Sequence, residues 1–147
     1  MPNWCSNNVT LTHNDPEMIV RAKTAIEQDK LLNEFVACPT GWDYDWCVQN
    51  WGTKWDINEG QVFESDETSL DCLFETAWAP PIKFYEALER LGFQVEAQYF
   101  EPGAGYVGEF SNGVDEDFEI DPDDFSNIPD YLMEMYDIPE YYNFEEE

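Results

Sequence analysis

The order in which apolar residues repeat along the chain constrains its fold more than any other feature. Val9 and Leu11 alternate with polar residues, as in a half-buried strand, whereas Ile19, Ala22 and Ile26 recur at helical spacing. Such patterns predict a strand over 7–13, a helix capped by Asn14 or Asp15 that ends near 29–33, strands over 61–65 and 69–76, a helix over 82–91 and a strand over 93–100. This order predicts an α+β fold with an antiparallel sheet, the ferredoxin-like βαββαβ plait.

The C-terminal third begins with a hairpin signal. Asn112-Gly113 separates two alternating runs, and Asn-Gly is the dipeptide that two-residue hairpin turns favour. A short acidic helical tail is predicted over 129–136, with inward side chains at Ile128, Leu132 and Met135. We therefore expect a ferredoxin-like domain over 1–112 and an acidic extension over 113–147 that packs on the same domain.

Residues 38–60 differ from the rest of the chain, because four of the six tryptophans lie there with three glycines. We interpret this segment as a long loop that its tryptophans pin to the sheet, or as a binding loop. Stacking of the tryptophans on nucleic-acid bases would also need a positively charged groove, and Lys54 is the one basic residue of the segment. The pinned loop is therefore the favoured interpretation.

The charge of the chain is far from zero. It has 33 Asp and Glu against 6 Lys and Arg, a formal net charge of −27, yet aromatic residues make up 16%, which argues against disorder. All six basic residues lie at or before Arg90, so residues 91–147 hold 17 acids and no base. Self-repulsion at this charge destabilises a compact state. A cationic partner would offset it; a halophile-type solubility adaptation is the alternative.

The predicted strand after Gly113 arranges some of these acids in a row. Asp115, Asp117, Glu119 and Asp121 would share one face, about 6.6 Å apart. Duplex DNA carries one charge per ~1.7 Å, so one strand face supplies only about a quarter of that density. A nucleic-acid mimic would need further acids, and a merely solvated acidic face is the alternative. The predicted partner-binding residues are Asp115, Glu116, Asp117, Glu119, Asp121, Asp123, Asp124, Asp130, Glu134 and Asp137, with Glu96 and Glu101 as possible additions and Tyr131 and Tyr136 as aromatic anchors.

Sequence signals for metal sites and catalysis are weak. The acidic run lacks the Gly and Glu that a calcium loop needs at its sixth and twelfth positions, which hold Ile120 and Ser126. Cys38, Cys47, Cys72 and His13 have no zinc-ligand spacing. No nucleophile elbow, phosphate-binding loop or dinucleotide fingerprint is present. We therefore expect no enzyme activity, no cofactor and no metal.

The N-terminus lacks the charged and apolar regions of a signal peptide, and no apolar run is long enough to span a membrane. The four cysteines have irregular spacings, which is typical of free, buried thiols in a reducing compartment. These features predict a cytoplasmic protein that binds neither a membrane nor nucleic acid directly.

Four motifs lie in order over about residues 1–112. They are MPNWCSN at 1–7, NWGTKWD at 50–56, TAWAPP at 76–81, and YFEPG at 99–103 followed by YVG at 106–108. Together they resemble the YubB/Api92-like family of phage and plasmid proteins. The resemblance implies a ferredoxin-like domain and a mobile-element origin, and it implies no established activity or catalytic residue. Residues from Asp115 onward lie outside it.

Charge and resemblance together predict a phage or mobile-element inhibitor of a host nucleic-acid-binding defence complex, of the anti-CRISPR or anti-restriction type. It would act as an acidic nucleic-acid mimic in a basic groove. The alternative is a non-catalytic interaction module or accessory subunit that docks through aromatic residues.

Overall fold

The structure, a computed structural model, describes residues 3–146, with side chains as far as residue 142. Its centre is a six-stranded antiparallel sheet in the order β2-β3-β1-β4-β5-β6. The strands are β1 Trp4–Thr12, β2 Asn58–Ser65, β3 Ser69–Ala77, β4 Gln94–Glu101, β5 Tyr106–Ser111 and β6 Val114–Glu119. The central strand β1 shows strict alternation of buried and half-buried residues, which is why its sequence alternates.

Six helices occur among the described residues. They are α1 Pro16–Glu27, α2 Leu31–Phe35, α3 Tyr44–Asn50, α4 Ile82–Arg90, α5 Asp130–Met135 and α6 Ile138–Glu146. The Asp15 side chain caps α1 by accepting a hydrogen bond from Glu17 N, and Asp43 caps α3 from Trp46 N. None of these helices has the length and apolar character needed to cross a membrane.

The two faces of the sheet are covered unequally. Residues from α1, α2, α3 and α4 pack on one face, the helix side, in a core that includes Ile26, Leu32, Phe84 and Leu88. A smaller cluster lies on the opposite face, where the segment from Ile128 to α6 covers β4 and β5. Its buried members are Phe100, Val107, Ile128, Leu132 and Ile138. We call the rest of this second face, outside that cluster, the open face.

The predicted α+β class with an antiparallel sheet is confirmed. The sheet has six strands, whereas the plait has four, and α2 and α3 are inserted before β2, so the ferredoxin-like plait itself stays a prediction. The predicted hairpin forms at Asn112-Gly113, where both residues have positive φ, 54° and 77°, as a type I′ turn requires.

Three details differ from the sequence prediction. Residues 38–60 are not all loop, because α3 and the start of β2 lie within them; the tryptophans and glycines of the segment hide the helical spacing of Cys47 and Trp51. Met135 is 43% exposed and does not face inward, since α5 ends there and Leu132 supplies its buried contact. A second tail helix, α6, lies beyond the predicted helix over 129–136 and was not predicted.

Candidate functional site

All ten predicted acidic site residues are exposed, but they do not form one row. The β5–β6 hairpin ends the sheet, and its edge strand β6 carries acids on both faces. Asp121, Asp123 and Asp124 follow in a loop, while Asp130, Glu134 and Asp137 belong to the tail helices and their connection. We call the carboxylates of residues 115–124 the acidic edge.

Three acids of β6 share the helix side of the sheet, as the sequence predicts. Asp115 lies opposite Phe110 and Asp117 opposite Gly108, and the Tyr99 hydroxyl on β4 donates a hydrogen bond to Asp115. Desolvation raises the pKa of Asp115, and Asp117 raises it further, while the hydrogen bond from Tyr99 opposes this. Tyr99 therefore holds the Asp115 carboxylate in place.

Glu116 points to the other face, where it meets acids that lie outside the predicted set. It is paired directly with Glu109 on β5, and like charges in such pairs repel. In the neighbouring row, the register aligns Glu64, Asp71, Thr10 and Glu96 across β2, β3, β1 and β4, and no Lys or Arg occurs in this row. Glu96 was a predicted addition.

Asp71, Glu75 and Glu109 are acids of this face that the sequence prediction did not include. The signal that could have found them is the alternation of β3, in which Asp71 and Glu75 occupy the positions opposite to the buried Cys72 and Phe74. Burial raises the pKa of Glu75, and a hydrogen bond and charge repulsion from Glu59 raise it further. The open face is thus acidic beyond the C-terminal third of the chain.

Few of these charges are neutralised within the molecule. Among the described residues, the ion pairs join Arg21 to Glu34 at 3.0 Å and Lys83 to Glu86 at 3.8 Å. Neither pair includes a residue beyond Arg90. The acidic edge and the open face therefore present their charge to solvent.

Some predicted residues have structural roles. Asp121 accepts a hydrogen bond from Asp123 N. Hydrogen bonds from the Ser126 side chain and from Ser126 N lower the pKa of Asp124. Glu101 is buried and caps a turn by accepting from Gly103 N and Ala104 N, so it is not part of the acidic surface. No group of three or more metal-ligating side chains occurs within the described part of the chain.

The two predicted aromatic anchors differ in exposure. Tyr131 is 48% exposed on α5. Tyr136 is half-buried against Phe100, and its hydroxyl bonds to Asn8 Oδ1 and to the carbonyl oxygen of Gln98. Tyr136 therefore fixes the tail to the sheet and leaves Tyr131 as the exposed anchor.

His13 and the cysteines, considered above for catalysis and zinc, also have structural positions. His13 Nδ1 accepts from Asp15 N, which assigns the proton to Nε2, the atom that donates to the carbonyl oxygen of Leu91. The four cysteines are free and buried, and burial raises the pKa of Cys72 to about 12. The expectation of free, buried thiols is confirmed.

A second surface lies at one end of the sheet. Trp42, Tyr44, Trp55 and Trp78 are each between 38% and 54% exposed, and we call them the aromatic cluster. Tyr44 and Trp78 line a pocket of about 270 Å³ together with Val48 and Lys54. Trp51, by contrast, is buried and donates from Nε1 to the carbonyl oxygen of Val36. The prediction that tryptophans pin the segment thus holds for Trp51, while others remain on the surface.

The backbone holds Trp78 in an unusual conformation. Its φ is +71°, a region that side-chain-bearing residues rarely adopt. Trp78 N donates to Asn3 O, its carbonyl oxygen accepts from the Tyr106 hydroxyl, and Thr53 Oγ1 donates to Ala77 O. Strained residues that surrounding bonds fix in this way are found preferentially at functional sites.

These contacts bring all four sequence motifs together. Asn3 comes from the first motif, Thr53 from the second, Trp78 from the third and Tyr106 from the fourth. Trp4 and Trp55 also meet, with ring centroids 6.2 Å apart. The residues that carry the family resemblance therefore converge around the aromatic cluster.

Comparison with solved structures finds a similar chain, the crystal structure of a protein api92 from Yersinia pseudotuberculosis with the family model DUF1281. The chains are 22% identical, with a TM-score of 0.42, over 73% of this chain and 39% of that one. This chain thus spans about two fifths of the length of that protein. No family model and no curated protein matches the sequence. Membership of the YubB/Api92-like family remains a prediction.

Proposed function

We propose that the acidic edge and the open face bind a basic surface of a nucleic-acid-binding protein and block its access to nucleic acid. The observation that carries this proposal is the exposure of carboxylates on both faces of the β5–β6 hairpin. The chain has no Lys or Arg after Arg90, and neither ion pair of the described residues includes a hairpin carboxylate. The carboxylates repel one another, and binding of a cationic surface is favourable because its positive charge offsets this repulsion.

The charge density of β6 favours a particular kind of groove. Its six residues span about 20 Å at the usual strand rise, and they include four acids, Asp115, Glu116, Asp117 and Glu119. Three of them, Asp115, Asp117 and Glu119, share one face at intervals of about 6.6 Å. This spacing is nearer to the ~3.4 Å along one nucleic-acid strand than to the ~1.7 Å of a duplex. The edge therefore fits a groove for a single strand better than a duplex cleft.

The chain would be a phage or mobile-element protein, and its target would be a host defence complex. It would thus act as an inhibitor of the anti-CRISPR or anti-restriction type. The four motifs support membership of the YubB/Api92-like family. Four strands that are adjacent in the sheet, in the order β2-β3-β1-β4, together with α1 and α4 support a ferredoxin-like unit inside the larger sheet. A defence complex is a suitable target because its nucleic-acid groove is basic.

The second candidate function is a non-catalytic interaction module that docks through the aromatic cluster. Tyr44 and Trp78 are exposed and line one pocket, and the exposed Trp42 donates to the backbone of Lys54, which lines the same pocket. Exposed tryptophan and tyrosine side chains are the commonest binding hot spots. The two candidates differ in their salt dependence, since apolar docking changes little with ionic strength.

Capture from a bacterial lysate tests the first candidate. The immobilised wild-type protein should retain a nucleic-acid-binding protein, identified by mass spectrometry, that a single-stranded oligonucleotide elutes. The double variant Glu109→Gln/Glu116→Gln should retain less of it, because the variant removes two charges from the proposed surface.

The matched control is Glu17→Gln/Glu27→Gln, which removes the same charge from the exposed side of α1. Equal loss in both variants would show that net charge alone drives capture. Retention that the oligonucleotide does not reverse would contradict mimicry and favour the aromatic module.

A further inference from the structure

The aromatic cluster holds a positive charge in the unbound protein. Lys54 Nζ lies 4.3 Å from the ring centroid of Trp55 and 5.3 Å from that of Trp78. Both distances are within the range of cation–π attraction. In a chain with 33 acids, neither ion pair of the described residues involves Lys54, and its ammonium group lies against two indole rings instead.

We propose that Trp55 and Trp78 form a cage for an arginine side chain of a partner protein, and that Lys54 occupies this cage until the partner displaces it. The proposal goes beyond the acidic surface, because it assigns a separate site and a separate residue type to the partner. Lys54 then acts as an intramolecular competitor for the cage.

The charge of the molecule limits what can occupy the cage. Nucleic acid would bring phosphates against a net charge of −27, and a second copy of the chain would bring a further −27. Asp43 and Asp45 are exposed and flank in sequence Tyr44, which lines the same pocket as Lys54 and Trp78. A basic protein segment is the occupant whose charge complements the site.

Arginine suits the cage better than lysine. Its guanidinium is planar and weakly hydrated, and it stacks on aromatic faces, whereas an ammonium keeps strongly bound water. A guest that replaces the tethered Lys54 must bind the rings more favourably than an ammonium does. The exposed faces of Trp78, Tyr44 and Trp42 offer additional stacking area beside the cage.

Hydrogen bonds around the turn at Trp78 hold the cage in place. Trp78 is fixed in its left-handed conformation by Asn3 and Tyr106, and the neighbouring Ala77 is bonded to Thr53. Trp42 Nε1 donates to the carbonyl oxygen of Lys54 at 2.8 Å, which positions the Lys54 backbone while its side chain stays free to leave. The site is therefore organised before a guest binds.

Tryptophan fluorescence with defined peptides tests the proposal. The probes are the acetylated, amidated tripeptides Gly-Arg-Gly, Gly-Lys-Gly and Gly-norleucine-Gly, titrated into the full-length protein at constant ionic strength. Gly-Arg-Gly should bind about fivefold more tightly than Gly-Lys-Gly, and the norleucine peptide should not bind, since cation–π attraction requires the charge.

Variants of the cage give the decisive comparison. Lys54→Gln should tighten Gly-Arg-Gly binding about threefold, because the competitor is gone and its positive charge no longer repels the cationic guest. Trp78→Gly and Trp55→Leu should each weaken it about tenfold. Glycine adopts the left-handed backbone of residue 78 without strain, so the first variant keeps the turn.

A matched variant on the acidic surface separates this site from the proposed function. Glu109→Gln/Glu116→Gln should leave the preference for arginine over lysine unchanged. If Lys54→Gln weakens binding, or if the arginine preference persists in both tryptophan variants, the cage is not the binding site. Equal affinity for the arginine and lysine peptides would likewise overturn the proposal.

Discussion

At the scale of single residues, a series of buried hydrogen bonds stabilises the end of the sheet next to the aromatic cluster. Tyr85 is fully buried and donates its hydroxyl to Asn7 Oδ1 at 2.9 Å, while the Asn7 amide donates to Thr76 Oγ1 at 3.0 Å. Thr76 in turn donates to Ala79 O, beside the Trp78 turn. Each group thus has a partner, as buried polar groups require.

We expect Tyr85→Phe to lower the free energy of unfolding by about 1–3 kcal/mol, because it leaves the buried Asn7 oxygen without its donor. Urea unfolding monitored by circular dichroism measures this change. Tyr44→Phe is the control, since Tyr44 is 54% exposed. An equal, small effect in both variants would show that the chain of hydrogen bonds contributes little.

The pKa of Asp115 gives a pH dependence of stability with a defined sign. Because its folded pKa lies above the ordinary value of 3.8, ionisation is less favourable in the folded than in the unfolded protein. Its contribution to stability is full below pH 3.8 and is lost as the pH rises through the folded pKa. Asp115→Asn should therefore remove this loss and keep an oxygen that accepts from Tyr99.

Urea midpoints between about pH 3.5 and 7 measure the effect: relative to the wild type, Asp115→Asn should gain stability as the pH rises through the folded pKa of Asp115. Asp66→Asn is the contrasting variant. Hydrogen bonds from Thr68 N and Ser69 N lower the pKa of Asp66, so its contribution is present at neutral pH and lost on acidification. Profiles that change in the same direction would contradict this assignment.

At the scale of elements, the acids of the β5–β6 hairpin can serve two roles, protection of a sheet edge and binding of a partner. Charged side chains on an edge strand prevent pairing with another sheet edge, and β6 is such an edge. That role alone, however, does not explain Glu109 on the inner strand β5 or Asp71 and Glu96 further into the sheet. The binding surface that we propose would account for acids in both places.

If the acids serve binding, the protein should have a lower free energy of unfolding than a variant in which one of these carboxylates is neutralised. We expect Glu116→Gln to raise the free energy of unfolding by about 0.2–1 kcal/mol, because Glu116 is paired with Glu109. The same variant should weaken partner capture. Urea unfolding and lysate capture on one preparation measure both effects, and a variant with lower stability or unchanged capture would contradict the account.

The sequence predicts the elements well where local signals are strong. Alternation in β1 and β3, the Asp15 cap and the Asn112-Gly113 turn each identify an element without tertiary information. Helix α3 is missed because its buried side consists of tryptophan and cysteine and it lies between glycines. The alignment of acids across the open face and the Lys54 cage are missed for another reason: they depend on strand register and long-range contacts, which local patterns do not contain.

At the scale of the whole molecule, the net charge of −27 should make stability increase with salt. Raising NaCl from 0.1 M to 1 M shortens the Debye length from about 10 Å to about 3 Å, which screens the repulsion between carboxylates. We expect the melting temperature to rise over this range. It should rise less in a variant with several open-face acids neutralised, and an unchanged or lower value in the wild type would show that self-repulsion is not significant.

The salt dependence of partner binding tests the central claim most directly. The affinity of the wild-type protein for the partner captured from the lysate should be measured over a series of NaCl concentrations, beside that of Glu109→Gln/Glu116→Gln. The account predicts an affinity that falls steeply as salt increases, with a shallower slope in the variant, because fewer charges take part. The same affinity at low and high salt, or identical slopes for both proteins, would contradict binding through the acidic surface.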